Sequence, residues 1–308
     1  MSEDGLRRLV QIKANLERRA LIYDGIRTFF CKEGFLEVET PLRVPVVAPE
    51  QYIVPFAADG WFLSTSPELQ MKRLLAAGYK KIFQICHCFR RDERGSRHNP
   101  EFTMLEWYRI GTDYMQIIRD TEQLLLFIAC TLGVGSTIRY QGKNIDLMPP
   151  WQRITVREAF LRAAGWDPVT AHDPERFDID LVNRVMPSFA PDRPTVLMDY
   201  PAAGASLARL KPANPLVAER AEVFIGGLEI ANAYSELNDA IEQEQRFRAE
   251  IERMKQEGKM AQMPERFLEA IARLPECSGI ALGVDRLAML FCNTTSIDDV
   301  IAFPTDAL

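Results

Sequence analysis

CFRRDERGSRHNPEFTMLEWYR, residues Cys88 to Arg109, is the stretch on which the reading of this chain turns. A β-like run, Lys81 to Phe89 (KIFQICHCF), leads into it, and a second run returns through Phe102 to Tyr108. The returning run holds Phe, Thr, Trp and Tyr, residues that suit a pleated, half-buried surface. The pattern predicts a long hairpin whose turn is crowded with Arg90, Arg91, Arg94, Arg97 and His98. Taken alone, such a turn could simply be solvated. The layout argues for more: an arginine at a strand end, acids two or three residues on, and a histidine returning before an aromatic. An arginine fork matches phosphate oxygens, and an aromatic face stacks a purine. The chain has neither G-x-x-x-x-G-K-[ST] nor G-x-G-x-x-G. A nucleotide here is therefore expected on side chains of a sheet, not on a backbone loop.

FRRDERGSRHNPEFTMLEWYR resembles motif 2 of class II aminoacyl-tRNA synthetases, in the lysyl branch, through its HNPEFTMLE run. Gly34 to Pro41 (GFLEVETP) resembles motif 1, and Gly279 to Leu290 (GIALGVDRLAML) resembles motif 3. Gly227 to Asp239 (GLEIANAYSELND) is similar to the lysyl-type strand before motif 3. The matches keep the family order and span nearly the whole chain. The resemblance implies an α+β fold, a class II synthetase catalytic core built on a mostly antiparallel six-stranded sheet flanked by helices. It also implies one domain over residues 1–308, with an insertion at about 133–218. Lysyl-tRNA synthetases carry an OB-fold anticodon-binding domain before motif 1, and none is expected here because motif 1 begins at Gly34.

With 308 residues and 47% hydrophobic content the chain can bury one large core or two modest ones. The net charge of −6 supplies no global basic field for nucleic acid, although a local patch would suffice. Six scattered cysteines do not make a disulfide framework. Cys86-His87-Cys88 invites a zinc reading, but in a strand the two thiols point to one face and the imidazole to the other. No second C-x-x-C pair completes four ligands, so packed strand thiols are expected. With no apolar leader and no run of 18 apolar residues, the expected compartment is the cytoplasm, with no membrane partner.

Apolar Leu16, Ile22, Ile26, Phe29 and Phe30 recur at helical spacing between about Leu9 and Lys32. Gly34 should end that helix as a C′ glycine, and Pro41 should close the strand begun at Phe35. In the family this segment forms the subunit interface, which implies a homodimer; by itself it reads as a helix packed on a sheet edge. Trp61 to Ser66 reads as a strand, and Pro67 to Ala77 as a helix capped by Ser66. Asp113 to Cys130 is a further helix; Arg153 to Ala164 and Asp180 to Met186 read as short ones, with a strand over Thr195 to Tyr200. Glu222 to Leu237 reads as one β segment, in which Asn232, Tyr234 and Glu236 share a face. Glu229 has the wrong parity and needs a bulge to join them, a feature taken from the family. Leu237 to Met260 reads as a solvated amphipathic helix. Within Glu276 to Leu290 a strand precedes a helix, whose Asp285 suits the dipole. Arg286 in that first turn opposes the dipole and suits a bound anion.

The resemblance implies carboxylate activation by ATP, with Mg²⁺ as the metal. Residue by residue it implies Arg90 and Arg286 as the catalytic pair. The ATP site would hold Arg90, Arg91, Asp92, His98, Phe102, Glu229, Ile230, Gly283 and Arg286, with the adenine between Phe102 and Arg286. Asp92 stands where the family usually has Glu, so its adenine contact is shortened or passes to Glu93. Glu229 and Glu236 would ligate Mg²⁺. A lysine-type substrate would meet Ser66, Pro67, Glu68, Glu106, Tyr108, Asn232, Tyr234, Glu236 and Ala281. The chain resembles most closely the short lysyl-tRNA synthetase paralogues that act on elongation factor P, attaching lysine or, preferably, (R)-β-lysine to a lysine ε-amine. Ser66 and Ala281 stand where lysyl-tRNA synthetases usually have Ala and Gly, which favours this reading. tRNA is not the expected acceptor. The alternatives are a truncated lysyl-tRNA synthetase-like enzyme serving tRNA or a small amine, and a non-catalytic amino-acid or nucleotide-binding regulator.

Overall fold

Two helices, a glycine and an edge strand open the chain, in a computed structural model that describes residues 3–307. Helices α1 (Glu3–Gln11) and α2 (Lys13–Lys32) precede β1 (Leu36–Glu37). Gly34 turns the chain between them with a positive φ of 75°, a conformation that costs a residue with Cβ. Short strands β2 (Arg43–Val44), β3 (Ala57–Ala58) and β4 (Trp61–Leu63) lead to α3 (Glu68–Ala76). The hairpin β5 (Lys81–Phe89) and β6 (Glu101–Ile110) follows, then α4 (Tyr114–Thr131). Next come β7 (Thr137–Tyr140), β8 (Lys143–Asp146), β9 (Gln152–Thr155), α5 (Val156–Ala163), α6 (Pro174–Asp180) and β10 (Thr195–Pro201). The chain ends through β11 (Leu210–Lys211), β12 (Asn214–Ile225), β13 (Leu228–Ser235), α7 (Ala240–Gln256), α8 (Glu265–Ile271), β14 (Cys277–Gly283) and α9 (Val284–Cys292).

The central sheet runs β1-β5-β6-β14-β13-β12-β10-β9, with β11 paired to β12. Among these pairs β1 with β5 and β9 with β10 are parallel, and the rest are antiparallel. The α+β class and the mostly antiparallel sheet agree with expectation, but the sheet has nine strands instead of six. The difference lies in the segment expected as an insertion. Its β9 and β10, and the start of β12, extend the sheet instead of standing apart from it. Other boundaries moved for local reasons. The first helix starts earlier and breaks at Ile12, α5 starts at Val156, and α6 ends at Asp180 where a π turn takes over. Helix α5 begins where it does because Thr155 and Glu158 form a reciprocal capping box. Asp113 caps α4 by accepting from Gln116 N at 3.1 Å.

Helix α2 buries Ile22, Ile26, Phe29 and Phe30 against the hairpin. Phe30 stacks on Phe83 at 4.7 Å and meets Phe35 and Trp107 at 5.0 and 5.1 Å, an aromatic knot that fixes the helix on β5 and β6. Nearer its start, half-buried Arg19 pairs with buried Asp285 of α9, Nη1 to Oδ1 at 2.5 Å. Asp285 Oδ2 accepts Thr103 N of β6 at 2.7 Å, and Arg19 also donates to Thr103 Oγ1 and Val300 O at 3.0 Å. The acid expected to serve the helix dipole thus locks α2, β6 and α9 together. Among the described residues no helix is long and apolar enough to cross a membrane.

Because both charges are largely out of water, removing one strands the other. Asp285→Asn should cost about 3 to 5 kcal/mol of unfolding free energy, read from the urea midpoint at constant m.

Candidate active site

Register across the sheet lays the site out in rows, since residues directly opposite one another point to the same face. One row reads Gln84, Glu106, Ala281, Asn232, Glu222, and its neighbour reads Ile82, Tyr108, Gly279, Tyr234, Arg220. Glu229 joins this face because β13 carries one extra residue: Ala231 pairs with Val223 and Glu229 with Phe224, leaving Ile230 as the bulge. That is the bulge the family resemblance implied, and the ladder shows it as a register shift between Val223 and Phe224. Ile230 turns into the core and is 2% exposed.

At one end of the face stand the arginines. Arg90 leaves β5, donates to Glu93 Oε1 at 3.1 Å and lies 5.1 Å over the Phe102 ring. Burial would depress its pKa, but Glu93 and Glu50 outweigh that and raise it. Arg286 in the first turn of α9, just after Gly283, donates to Glu229 O at 2.9 Å and approaches Glu229 Oε2 at 3.5 Å. Its Nη2 lies 2.6 Å from His98 Nε2. Burial and then the Arg286 charge lower the His98 pKa, so the ring is neutral and Nε2 accepts. Phe102 carries Arg90 over its ring. Arg286 stands across the site, held by Glu229 O and His98. Arg91 and Asp92 pair with each other at 3.1 Å on the exposed loop, away from the floor. Glu93 is held by Arg90. Cys86 and Cys88 share the site face at 3.9 Å, while His87 turns away to Glu101.

The acids divide differently from the expected assignment. Glu236 does not join Glu229. It is buried beside Lys72 of α3, Nζ to Oε2 at 2.6 Å. The acid near Glu229 is Glu222, whose pKa is raised first by burial and then by Glu229. Two carboxylates forced together favour a cation between them. Among the described residues no cluster of three His, Cys, Asp or Glu side chains could hold a metal. A hard ion at Glu222 and Glu229 would complete its shell with phosphate oxygens and water, the habit of Mg²⁺. The two acids fit that ion.

Beyond Asn232 lies a buried acidic pocket. Lys72 Nζ reaches Glu68 Oε1 at 2.5 Å as well as Glu236. Glu106 accepts from Ser66 Oγ at 2.6 Å and from Tyr108 OH at 2.7 Å. Ser66 also accepts Glu68 N at 3.0 Å, although the N-cap position of α3 falls to Pro67 and not to Ser66 as expected. Burial, then Glu68, pushes the Glu106 carboxyl up to about 7. Burial pushes Glu236 up to about 8, with Lys72 opposing and Glu68 adding. Glu236 Oε1 and Asn232 Oδ1 are buried without a hydrogen-bond partner, two acceptors aimed where an ammonium could sit.

Four residues of the site went unread in sequence: Lys72, Glu222, Arg220 and Glu50. Lys72 had a signal, being four residues after Glu68 on one helix face. Arg220 lies between the rings of Tyr200 at 4.6 Å and Tyr234 at 5.7 Å and donates to Glu222 at 2.7 Å. Glu50 rides on the loop before β3, where burial, partly offset by Arg90, raises it to about 7. That loop is pinned to α7 by Gln51 N donating to Glu250 at 2.8 Å.

Comparison with known proteins bears on this arrangement. Residues 6–307 match the family described as tRNA synthetases class II (D, K and N). An elongation factor P--(R)-beta-lysine ligase of Pectobacterium atrosepticum is 39% identical over 316 residues, covering 95% of each chain. One from Salmonella typhi is 37% identical with the same coverage. A lysine--tRNA ligase of Moorella thermoacetica is 36% identical over 96% of this chain and 66% of its own.

Gly279 is where the pocket tolerates no side chain: a Cβ there would lie 2.2 Å from the Tyr108 ring and 2.6 Å from Glu236 Oε1. Gly279→Ala should raise the KM for a pocket ligand by about tenfold or more, with a smaller change for nucleotide, because 1 to 3 kcal/mol of misfit falls on one subsite. Steady-state kinetics with each substrate varied in turn reads the difference.

Proposed function

The chain belongs to the class II tRNA synthetase family of the D, K and N type, and on that premise we propose what it does. It activates a lysine-type amino acid, preferably (R)-β-lysine, with ATP and transfers it to a lysine ε-amine of elongation factor P. The observation that carries this reading is the buried pocket of Glu68, Glu106 and Glu236 with two open acceptors, beside the arginines Arg90 and Arg286. Few ligands other than a diamine repay the desolvation of so many acids. The names of the Pectobacterium and Salmonella relatives support the acceptor.

The substrate carboxylate is itself the nucleophile, so no Ser, Cys or general base is needed. One carboxylate oxygen attacks the α-phosphorus in line, the bond to the bridging oxygen breaks, and pyrophosphate leaves. Arg90 spans the substrate carboxylate and α-phosphate. Arg286 and His98 take the outer phosphates, and Phe102 underlies the adenine with Arg286 closing over it. Such catalysis is positioning plus neutralisation of phosphate charge. Glu222 and Glu229 would hold Mg²⁺, which screens the polyphosphate when bound. The acceptor amine then attacks the acyl carbon and AMP departs. Ala281 lies in the row between Glu106 and Asn232. Its methyl crowds an α-ammonium more than a β-ammonium, a preference of about 1 to 3 kcal/mol. A homodimer through α2 and the edge strand β1, where Leu21 and Leu36 are exposed, accords with the same reading.

The 36% identity to a lysine--tRNA ligase favours one second reading, transfer to tRNA. Incubation with ATP, each lysine isomer, elongation factor P and tRNA, followed by mass spectrometry, separates the two. Mass gained on the protein is expected; mass gained on tRNA instead overturns the choice of acceptor. Lysine-dependent pyrophosphate exchange should also show an amino-acid KM that falls as pH rises. Glu106 near 7 and Glu236 near 8 attract ammonium groups only once ionised, so binding strengthens above those values.

A further inference from the structure

Lys72 is only 1% exposed and points into the amino-acid pocket, yet none of the roles above uses it. Its ammonium contacts Glu68 Oε1 at 2.5 Å and Glu236 Oε2 at 2.6 Å, leaving Glu236 Oε1 open. Both acids are carried into the proposed pocket by different elements, one by α3 and one by the turn after β13. We propose that Lys72 is a positioning residue for amino-acid selection: a resident ammonium that holds Glu68 and Glu236 at a fixed spacing and sets the charge that a substrate must bring. The inference rests on the amino-acid pocket of the proposed function and deepens it.

Once all three carboxylates are ionised, one resident ammonium leaves two negative charges, the complement of a substrate with two ammonium groups. Without Lys72 the same acids would repel one another, and burial would hold them protonated. The ionisable groups that face it are Glu68 of α3, Glu106 of β6, Glu236 beyond β13, and Cys277 of β14. Burial alone would strip the proton from Lys72, but Glu236 and Glu68 outweigh it and keep the ammonium charged. In return Lys72 opposes the upward push on Glu236. Losing Lys72 therefore moves the ionisation of the pocket to higher pH. Diammonium binding should weaken most at low pH and recover as pH rises.

The test is lysine-dependent pyrophosphate exchange across about pH 6 to 9 for the wild type, Lys72→Met and Lys72→Gln. If the wild type shows no such exchange with either lysine isomer, the proposed function fails and Lys72 is not at issue. Given exchange, both variants should raise the amino-acid KM by about tenfold near neutral pH, one unit of carboxyl shift, with the defect shrinking toward pH 9. ATP KM should move less, and kcat at saturating amino acid should fall by less than KM rises. A KM defect of equal size at every pH, or a KM that improves near neutrality, overturns the proposal. Should neither variant fold, nitrogen-15 spectra of lysine Nζ in the wild type decide it. One ammonium protected from exchange should persist when lysine is added, and its release on binding would mean that substrate displaces Lys72.

Discussion

Burying Glu106 and Glu236 against one sheet, with Glu68 half-buried beside them, is the constraint from which the rest of this structure follows. Each such group taken from water costs several kcal/mol unless it gains partners. Glu106 gains Ser66 and Tyr108, while Glu68 and Glu236 share Lys72. Those partners dictate the local fold. Ser66 must sit at the head of α3, and α3 must present Glu68 and Lys72 one turn apart on the face toward the sheet. Tyr108 must lie flat over β14, and Gly279 is the residue that makes room for it. The helix, the hairpin and the last strand are thus tied to one electrostatic problem.

The arginine half of the site is built on an opposite principle, with half-buried cations on rigid mounts. Arg286 emerges one residue after Asp285, and Asp285 is clamped by Arg19 and by Thr103 N. Any shift of α2 relative to β6 is therefore felt at the start of α9. This makes the long first helix part of the site's scaffold even though none of its side chains faces the pocket rows. The hairpin turn gains support from the end of the chain, where Ile297 N donates to Ser96 O and Thr305 N to Asn99 Oδ1.

Much of this was legible in the sequence, for identifiable reasons. The hairpin read correctly because β5 and β6 are long and rich in β-branched and aromatic residues, and their turn chemistry is concentrated in one segment. The bulge at Glu229 was anticipated only through the family, because parity alone puts Glu229 on the opposite face from Asn232 and does not say that the strand is interrupted. The strand count did not read correctly, because β9 has four residues and follows a run of Pro and Asp with no strong period. Glu222 was missed because Glu222 to Leu237 read as one segment, although Gly226-Gly227 turns it into a hairpin and puts Glu222 opposite Asn232. Lys72 was passed over for a different reason, although its spacing from Glu68 was a signal. A lysine on an amphipathic helix normally marks the solvated side, and only the tertiary placement of Glu236 reverses that rule.

The single extra residue in β13 has a consequence for how the chain can vary. Side chains alternate along a strand, so the length between Gly227 and Ala231 carries as much information as any identity within it. Dropping Ile230 would leave every remaining residue type intact. It would nevertheless swing Glu229 through half a turn into the apolar layer beneath. Substitution tests composition at this point, but only a deletion tests spacing, and spacing is what aims the acid.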